Sequence, residues 1–167
     1  EGASLSHRTA LLYDGRLAFE KQQYENAVRM WIEFLYDSRV SPIQHAEAIG
    51  WLGVGIAKLR DETLMKAWEE LIAEAPNLQN CWLYWIAAGD FASLRSDTPT
   101  AEKAYRTALT KNDLSLLAHQ RLRELPDSSL DAAQRELLKN RIVLLEAAKQ
   151  QLAETIELQT LASSRYA

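Results

Sequence analysis

Residues 51–67, WLGVGIAKLRDETLMKA, decide the fold of this chain, because their spacing of large and small residues recurs in residues 85–101, WIAAGDFASLRSDTPTA, 34 residues later. A third copy lies upstream at an offset of 40. The three copies share a large residue, a glycine and an alanine at fixed spacing: Leu11, Gly15 and Ala27; Trp51, Gly55 and Ala67; Trp85, Gly89 and Ala101. Such a period predicts stacked helical hairpins, in which the small residues permit close helix contacts.

The segment GRLAFEKQQYENA, from Gly15 to Ala27, carries the small and large positions of the tetratricopeptide motif. Residues 8–113 resemble that family. The resemblance implies a right-handed solenoid in which the first helix of each hairpin lines a concave, peptide-binding groove. Half-a-tetratricopeptide repeats of RNA-processing scaffolds are similar as well, mainly around Trp82, Tyr84 and Trp85.

The periodicity of apolar residues predicts an all-α chain with helices at about 5–22, 24–38, 42–60, 62–75, 78–95, 99–111, 114–125 and 129–162. Ser41 and Thr98 each precede a proline and are predicted N-caps, whereas Pro76 and Pro126 follow helix ends. We therefore expect one domain, 1–167. It contains repeats at 8–40, 42–78 and 79–113, a capping helix at 114–126 and a long C-terminal helix at 129–162.

Composition argues against several classes of partner. There are 23 acidic and 19 basic residues, which gives a net charge of −4 without a basic stripe, so direct binding of nucleic acid is not expected. No apolar run is long enough for a membrane span. Cys81 is the single cysteine and is expected to be a buried, inert thiol. The localisation stays open. The cytoplasm is favoured, and the periplasm is the alternative if a targeting segment was removed.

We predict no catalytic residue, no metal and no cofactor. His7, His45 and His119 lie in separate segments and are expected to be solvated or capping residues. Gly53 and Gly55 lie within a helical pattern, which is not the context of a phosphate-binding loop. The chain is therefore not expected to be an enzyme. Among the tryptophans, Trp68 and Trp82 are the better candidates for ligand contact.

The resemblance also implies a partner-binding surface, because groove positions can be carried over to this sequence. These positions are Leu12 and Phe19 in the first repeat, Ile49, Leu52, Ile56 and Leu59 in the second, and Leu83 and Ile86 in the third, accompanied by Arg16 and Asp90. Helical spacing places the four residues of the second repeat on one face. Because only Arg16 could contribute to a carboxylate clamp, we expect an apolar or amphipathic protein segment as the ligand.

The long C-terminal helix carries an apolar stripe of Leu138, Ile142, Leu145, Leu152 and Ile156, flanked by Leu137, Leu144 and Ala148. A stripe of this width is expected to pack against a surface. Three arrangements stay open: packing along the preceding helices, folding across the groove, or pairing with a second chain as a coiled coil.

The sequence therefore predicts a non-catalytic protein-protein interaction module, an adaptor or a chaperone. In size and groove character it resembles the chaperones of bacterial secretion systems. The alternative is a structural assembly factor or scaffold component of a secretion, pilus or RNA-processing complex. Such a factor would form homodimers or larger assemblies through its C-terminal helix.

Overall fold

The computed structural model describes the backbone of residues 3–36 and 40–165, and side-chain surroundings within 10–36 and 40–155. Over these residues the regular structure is entirely helical, so the predicted all-α helical-repeat fold is confirmed. The helices are α1 Ala3–Glu20, α2 Tyr24–Leu35, α3 Pro42–Leu59, α4 Glu62–Glu74, α5 Trp82–Leu94, α6 Thr98–Lys111, α7 Leu116–Glu124 and α8 Ala132–Arg165, with a 3-10 helix at Pro76–Asn80.

Most helices pack on their neighbours in the chain, as expected for hairpins joined by short turns, whereas α3 packs more extensively on α2 and α5 than on α4. The pairs α1–α2, α5–α6 and α7–α8 are direct hairpins, and α3 lies between α2 and α5. Every residue of α3 from Ala48 to Ala57 is buried. This helix is therefore covered on both faces, as a helix with apolar residues all round requires.

Four turns share an unusual backbone feature. Gln22, Arg60, Ser96 and Asp127 have positive φ angles of 61°, 54°, 61° and 52°. They lie in the turns of α1–α2, α3–α4, α5–α6 and α7–α8 respectively. The common conformation indicates that α7 and α8 form a fourth hairpin, whereas the sequence predicted α7 only as a cap.

Ser96→Gly is expected to raise the free energy of unfolding by about 0.5–1 kcal/mol, because glycine adopts a left-handed backbone without the steric cost of a β-carbon. Chemical denaturation measures the change. Ser93→Gly is the matched control: it lies within α5, where glycine should destabilise the helix. Changes of the same sign in both variants would contradict the assignment of Ser96 to a left-handed turn.

Of the two predicted N-caps, the structure confirms one and contradicts the other. The Ser41 hydroxyl accepts a hydrogen bond from the backbone N–H of Gln44 at 3.2 Å, so the N-cap of α3 is confirmed. At α6 the prediction of Thr98 is wrong. The Asp97 carboxylate instead accepts from the backbone N–H of Thr100 at 3.2 Å, and Thr98 is already the first helical residue.

A glycine under an aromatic ring defines the structural repeat. A β-carbon on Gly15 would collide with the Trp31 ring, and one on Gly89 would collide with the Tyr105 ring. In the second hairpin a β-carbon on Gly53 would lie 2.6 Å from the Trp68 ring. These glycines are 38 and 36 residues apart, while the three aromatic residues are 37 residues apart at each step. The spatial repeat is thus longer than the sequence period of 34.

This register corrects the predicted roles of two residues. Gly55 faces Val28 and Trp31 of the preceding hairpin, so its close contact lies between hairpins and not within its own. Ala67 is exposed, although the pattern predicted a close helix contact. The reason is that Trp68, one position later, occupies the interface between α3 and α4.

Candidate functional site

The residues predicted to line an open groove are mostly part of the core. Leu12, Ile49, Leu52, Ile56, Leu83 and Ile86 are buried, and Phe19 and Leu59 are half-buried against the same core. The predicted partner surface is therefore not an accessible surface in this conformation.

Contacts between hairpins explain this burial. A β-carbon on Gly50 would collide with Leu83, so α3 and α5 approach closely along the predicted groove face. Within the second hairpin, the Ile49 carbonyl also accepts a hydrogen bond of 2.9 Å from the Trp68 indole of α4. The positions that the family resemblance assigns to ligand binding thus bind neighbouring helices of the same chain.

Aromatic side chains fill the space between the first two hairpins. Trp31 and Trp51 stack with ring centroids 5.8 Å apart, and the Arg16 guanidinium lies 5.1 Å from the Trp51 ring centroid. Phe19 contacts both tryptophans. Arg16 is therefore occupied by a cation–π contact, which is stabilising where the cation is partly shielded from water.

Of the two tryptophans predicted as ligand contacts, Trp68 is buried, contrary to the prediction, and Trp82 is partly accessible. Trp68 is only 3% exposed and stacks on Tyr84 at 5.6 Å, so it is a core residue. Trp82 is half-buried at the start of α5. The recurring pattern assigned the close helix contact of α4 to Ala67. In the structure the next residue, Trp68, occupies the buried face of α4 instead.

The apolar stripe predicted on the C-terminal helix is divided in two. Leu138 and Ile142 are buried and Leu145 is half-buried, in the part of α8 that packs on α7. Leu152 is 62% exposed, and the Ile156 side chain lies outside the described surroundings. Lys149 forms an exposed salt bridge of 3.1 Å with Glu20 of α1.

A second apolar surface lies on another side of α8 and contains two of the residues predicted to flank the stripe. Leu137 and Leu144 are 59% and 70% exposed and lie two helical turns apart. Beside Leu137 is a cavity of about 450 Å³ between α6, α7 and α8. Its lining consists of Arg106, Leu109, Thr110, Leu122, Leu130, Gln134, Leu137 and Leu138. We call Leu137, Leu144 and this cavity the α8 apolar surface.

A charged cluster joins the third hairpin to the fourth. The Asp90 carboxylate accepts hydrogen bonds from the Tyr105 hydroxyl at 2.7 Å and from Arg121 Nε at 2.8 Å. Burial raises the pKa of the Tyr105 phenol, and the Asp90 charge raises it further. Tyr105 therefore stays protonated and donates to Asp90. Asp90, predicted as a groove residue, thus has two partners within the chain.

Two residues with reactive side chains, His119 and Cys81, lie at least partly inside the protein. His119 is fully buried, contrary to the prediction, with Nδ1 2.6 Å from the Ser115 carbonyl oxygen. Burial raises the pKa of the half-buried Cys81 thiol, which disfavours the nucleophilic thiolate. Within the same part of the chain, no cluster of three acidic, histidine or cysteine side chains could hold a metal ion. No described helix is long and apolar enough to cross a membrane.

Taken together, the helices, turns and interfaces define an all-α helical-hairpin repeat protein. Comparison with known proteins adds no closer relationship: no protein-family profile, no curated protein and no solved structure matches this chain.

Proposed function

We propose that this chain is a non-catalytic protein-interaction module that binds an amphipathic helix of a partner on the α8 apolar surface. The observation that carries this proposal is the juxtaposition of exposed leucines with an apolar cavity. Leu137 borders a space lined by Leu109, Leu122, Leu130 and Leu138, and the exposed Leu144 lies two helical turns further along α8. Scattered exposed leucines are ordinary, but leucines that border an apolar cavity are typical of binding sites.

The dimensions of this surface favour a helical ligand. A spacing of seven residues along α8 corresponds to about 10 Å, which matches residues i and i+7 of a partner helix. The cavity of about 450 Å³ would accept an anchoring apolar side chain, as hot spots in interfaces commonly do. The proposed ligand is still an apolar or amphipathic protein segment, but its proposed binding site is on α8 and not in the concave groove.

The glycine-aromatic hairpins support placing the chain in the tetratricopeptide family, with adaptor or chaperone activity as the family-level proposal. Spacings of 38 and 36 residues between the glycines differ from the 34 residues of that motif. The chain therefore resembles the tetratricopeptide motif in its helix packing and not in its repeat length.

Self-assembly is the second candidate function. Every side chain of α8 from Glu146 to Thr155 is exposed, so this part of the helix has free faces in a single chain. A second copy could pair with it, which would make the protein an assembly factor. Light scattering across a range of protein concentrations separates a partner-binding monomer from a self-associating chain.

Leu144→Asp is expected to weaken partner binding at least tenfold, because it removes the burial of one leucine and adds a charge to an apolar interface. The measurement is quantitative affinity capture with the purified chain as bait, followed by mass spectrometry of the retained proteins. Leu114→Asp is the matched control, since Leu114 is 71% exposed and lies outside the α8 apolar surface.

Both variants should melt like the parent because both positions are on the surface. Retention of the same proteins in the same amounts by the parent and by Leu144→Asp would contradict the proposal. A concentration-dependent dimer of the parent, with no retained partner, would select self-assembly.

A further inference from the structure

A second cavity, separate from the α8 apolar surface, lies at the C-terminal ends of α3, α5 and α7. Its volume is about 320 Å³. It is lined by Ala57, Lys58, Arg60, Asp90, Ser93, Leu94, Tyr105, Arg121, Glu124, Leu125 and Pro126. We call it the charged cleft. It combines three cations, from α3, from the turn after α3 and from α7, with an apolar wall, which the sequence pattern did not predict.

The cations in the charged cleft differ in whether they have an acidic partner. Arg121 is held by Asp90, and that carboxylate also accepts from Tyr105. Lys58 and Arg60 have no acidic partner within salt-bridge distance among the described side chains. Burial lowers the pKa of the Lys58 ammonium and the Arg121 charge lowers it further, while the Asp90 and Glu124 charges raise it. Lys58 Nζ also lies 5.9 Å from the Tyr24 ring centroid. Positive charge in the cleft is thus in excess at the side formed by Lys58 and Arg60.

The charge balance of the lining limits the kind of anion that fits. Three cations and the two carboxylates of Asp90 and Glu124 leave an excess of one positive charge. A single carboxylate balances this excess, whereas a doubly charged phosphate would leave the cleft with a net negative charge. Arg60 offers a planar fork that suits a carboxylate, and Lys58 adds a point charge.

We propose that the charged cleft is a binding site for a glutamate or aspartate side chain in an acidic segment of a partner protein, held by Lys58 and Arg60. Leu94, Leu125 and Pro126 provide an apolar wall for the aliphatic part of such a segment. The site is independent of the α8 apolar surface, so either can exist without the other.

The test uses a fluorescent glutamate-rich peptide with both ends blocked, so that binding cannot come from a terminal carboxylate. Fluorescence anisotropy with the full chain measures its affinity at low and at physiological salt. We expect saturable binding that weakens with salt, since screening reduces interactions between exposed charges. The Lys58→Gln/Arg60→Gln double variant should bind the peptide at least about tenfold more weakly than the parent, because charged hydrogen bonds are lost.

The matched control is Lys66→Gln/Arg29→Gln, which removes the same charge from exposed positions outside the cleft. It should retain parental affinity within about twofold. If the cleft variant melted early, Arg60→Gly would replace it, because glycine suits the left-handed conformation at this position.

Three results would overturn the proposal. Equal losses in both double variants would mean that binding reflects only net charge. Equal affinity for a peptide with glutamine in place of glutamate would mean that carboxylates are not recognised. Displacement by inorganic phosphate at concentrations as low as those of the free peptide would assign the cleft to phosphate instead. None of these outcomes bears on Leu144, so the proposed function is tested separately.

Discussion

Trp68→Ala is expected to lower the free energy of unfolding by about 3–5 kcal/mol, the range for removing a buried tryptophan from a core. The ring fills the space over Gly53, stacks on Tyr84 at 5.6 Å and meets Phe91 edge-on at 5.1 Å. Its indole N–H also donates to the Ile49 carbonyl. Alanine would leave a cavity between α3, α4 and α5, and equilibrium urea denaturation would measure the loss.

Trp82→Ala is the matched control. Trp82 is half-buried, so its truncation should cost about half as much or less, in proportion to the apolar area removed from the core. Comparable losses for the two variants would mean that Trp68 is not the residue that joins the second hairpin to the third.

The helices could be predicted from the sequence because their signals are local. Ser41 before Pro42 identified the start of α3, and the residues around Pro76 and Pro126 identified the ends of α4 and α7. The start of α5 was placed four residues too early, at 78 instead of Trp82, because Pro76–Asn80 forms a 3-10 helix that has no distinct apolar period.

The register of the second hairpin could not be predicted from the repeat. Gly53 and Gly55 both lie on α3, and the recurrence of tryptophan, glycine and alanine favoured Gly55 and Ala67. The structure places the aromatic ring of Trp68 where the other hairpins have Trp31 and Tyr105. The sequence signal that could have revealed this is the spacing of 37 residues between these three aromatic residues.

The burial of the predicted groove could not be predicted from the sequence for a related reason. A helix with apolar residues on both faces, such as α3, can have an open groove or be enclosed by neighbouring hairpins, and periodicity does not distinguish these arrangements. Here the close approach of Gly50 to Leu83 encloses α3.

The charged cleft could not be predicted either. It depends on the contact of Arg121 with Asp90 of another hairpin, 31 residues away in the sequence, which local patterns do not encode.

Asp90→Ala is expected to cost about 3–5 kcal/mol of stability, because it leaves the Arg121 charge inside the protein without its counter-ion. The Arg121 and Asp90 side chains are 15% and 9% exposed, and the Tyr105 hydroxyl would lose its acceptor as well. Asp90→Ala/Arg121→Met should be more stable than Asp90→Ala alone, since the second change removes the stranded charge. Urea denaturation of both single variants and the double variant completes the cycle. Independent, additive losses at the two positions would show that the pair is solvated and does not join α5 to α7.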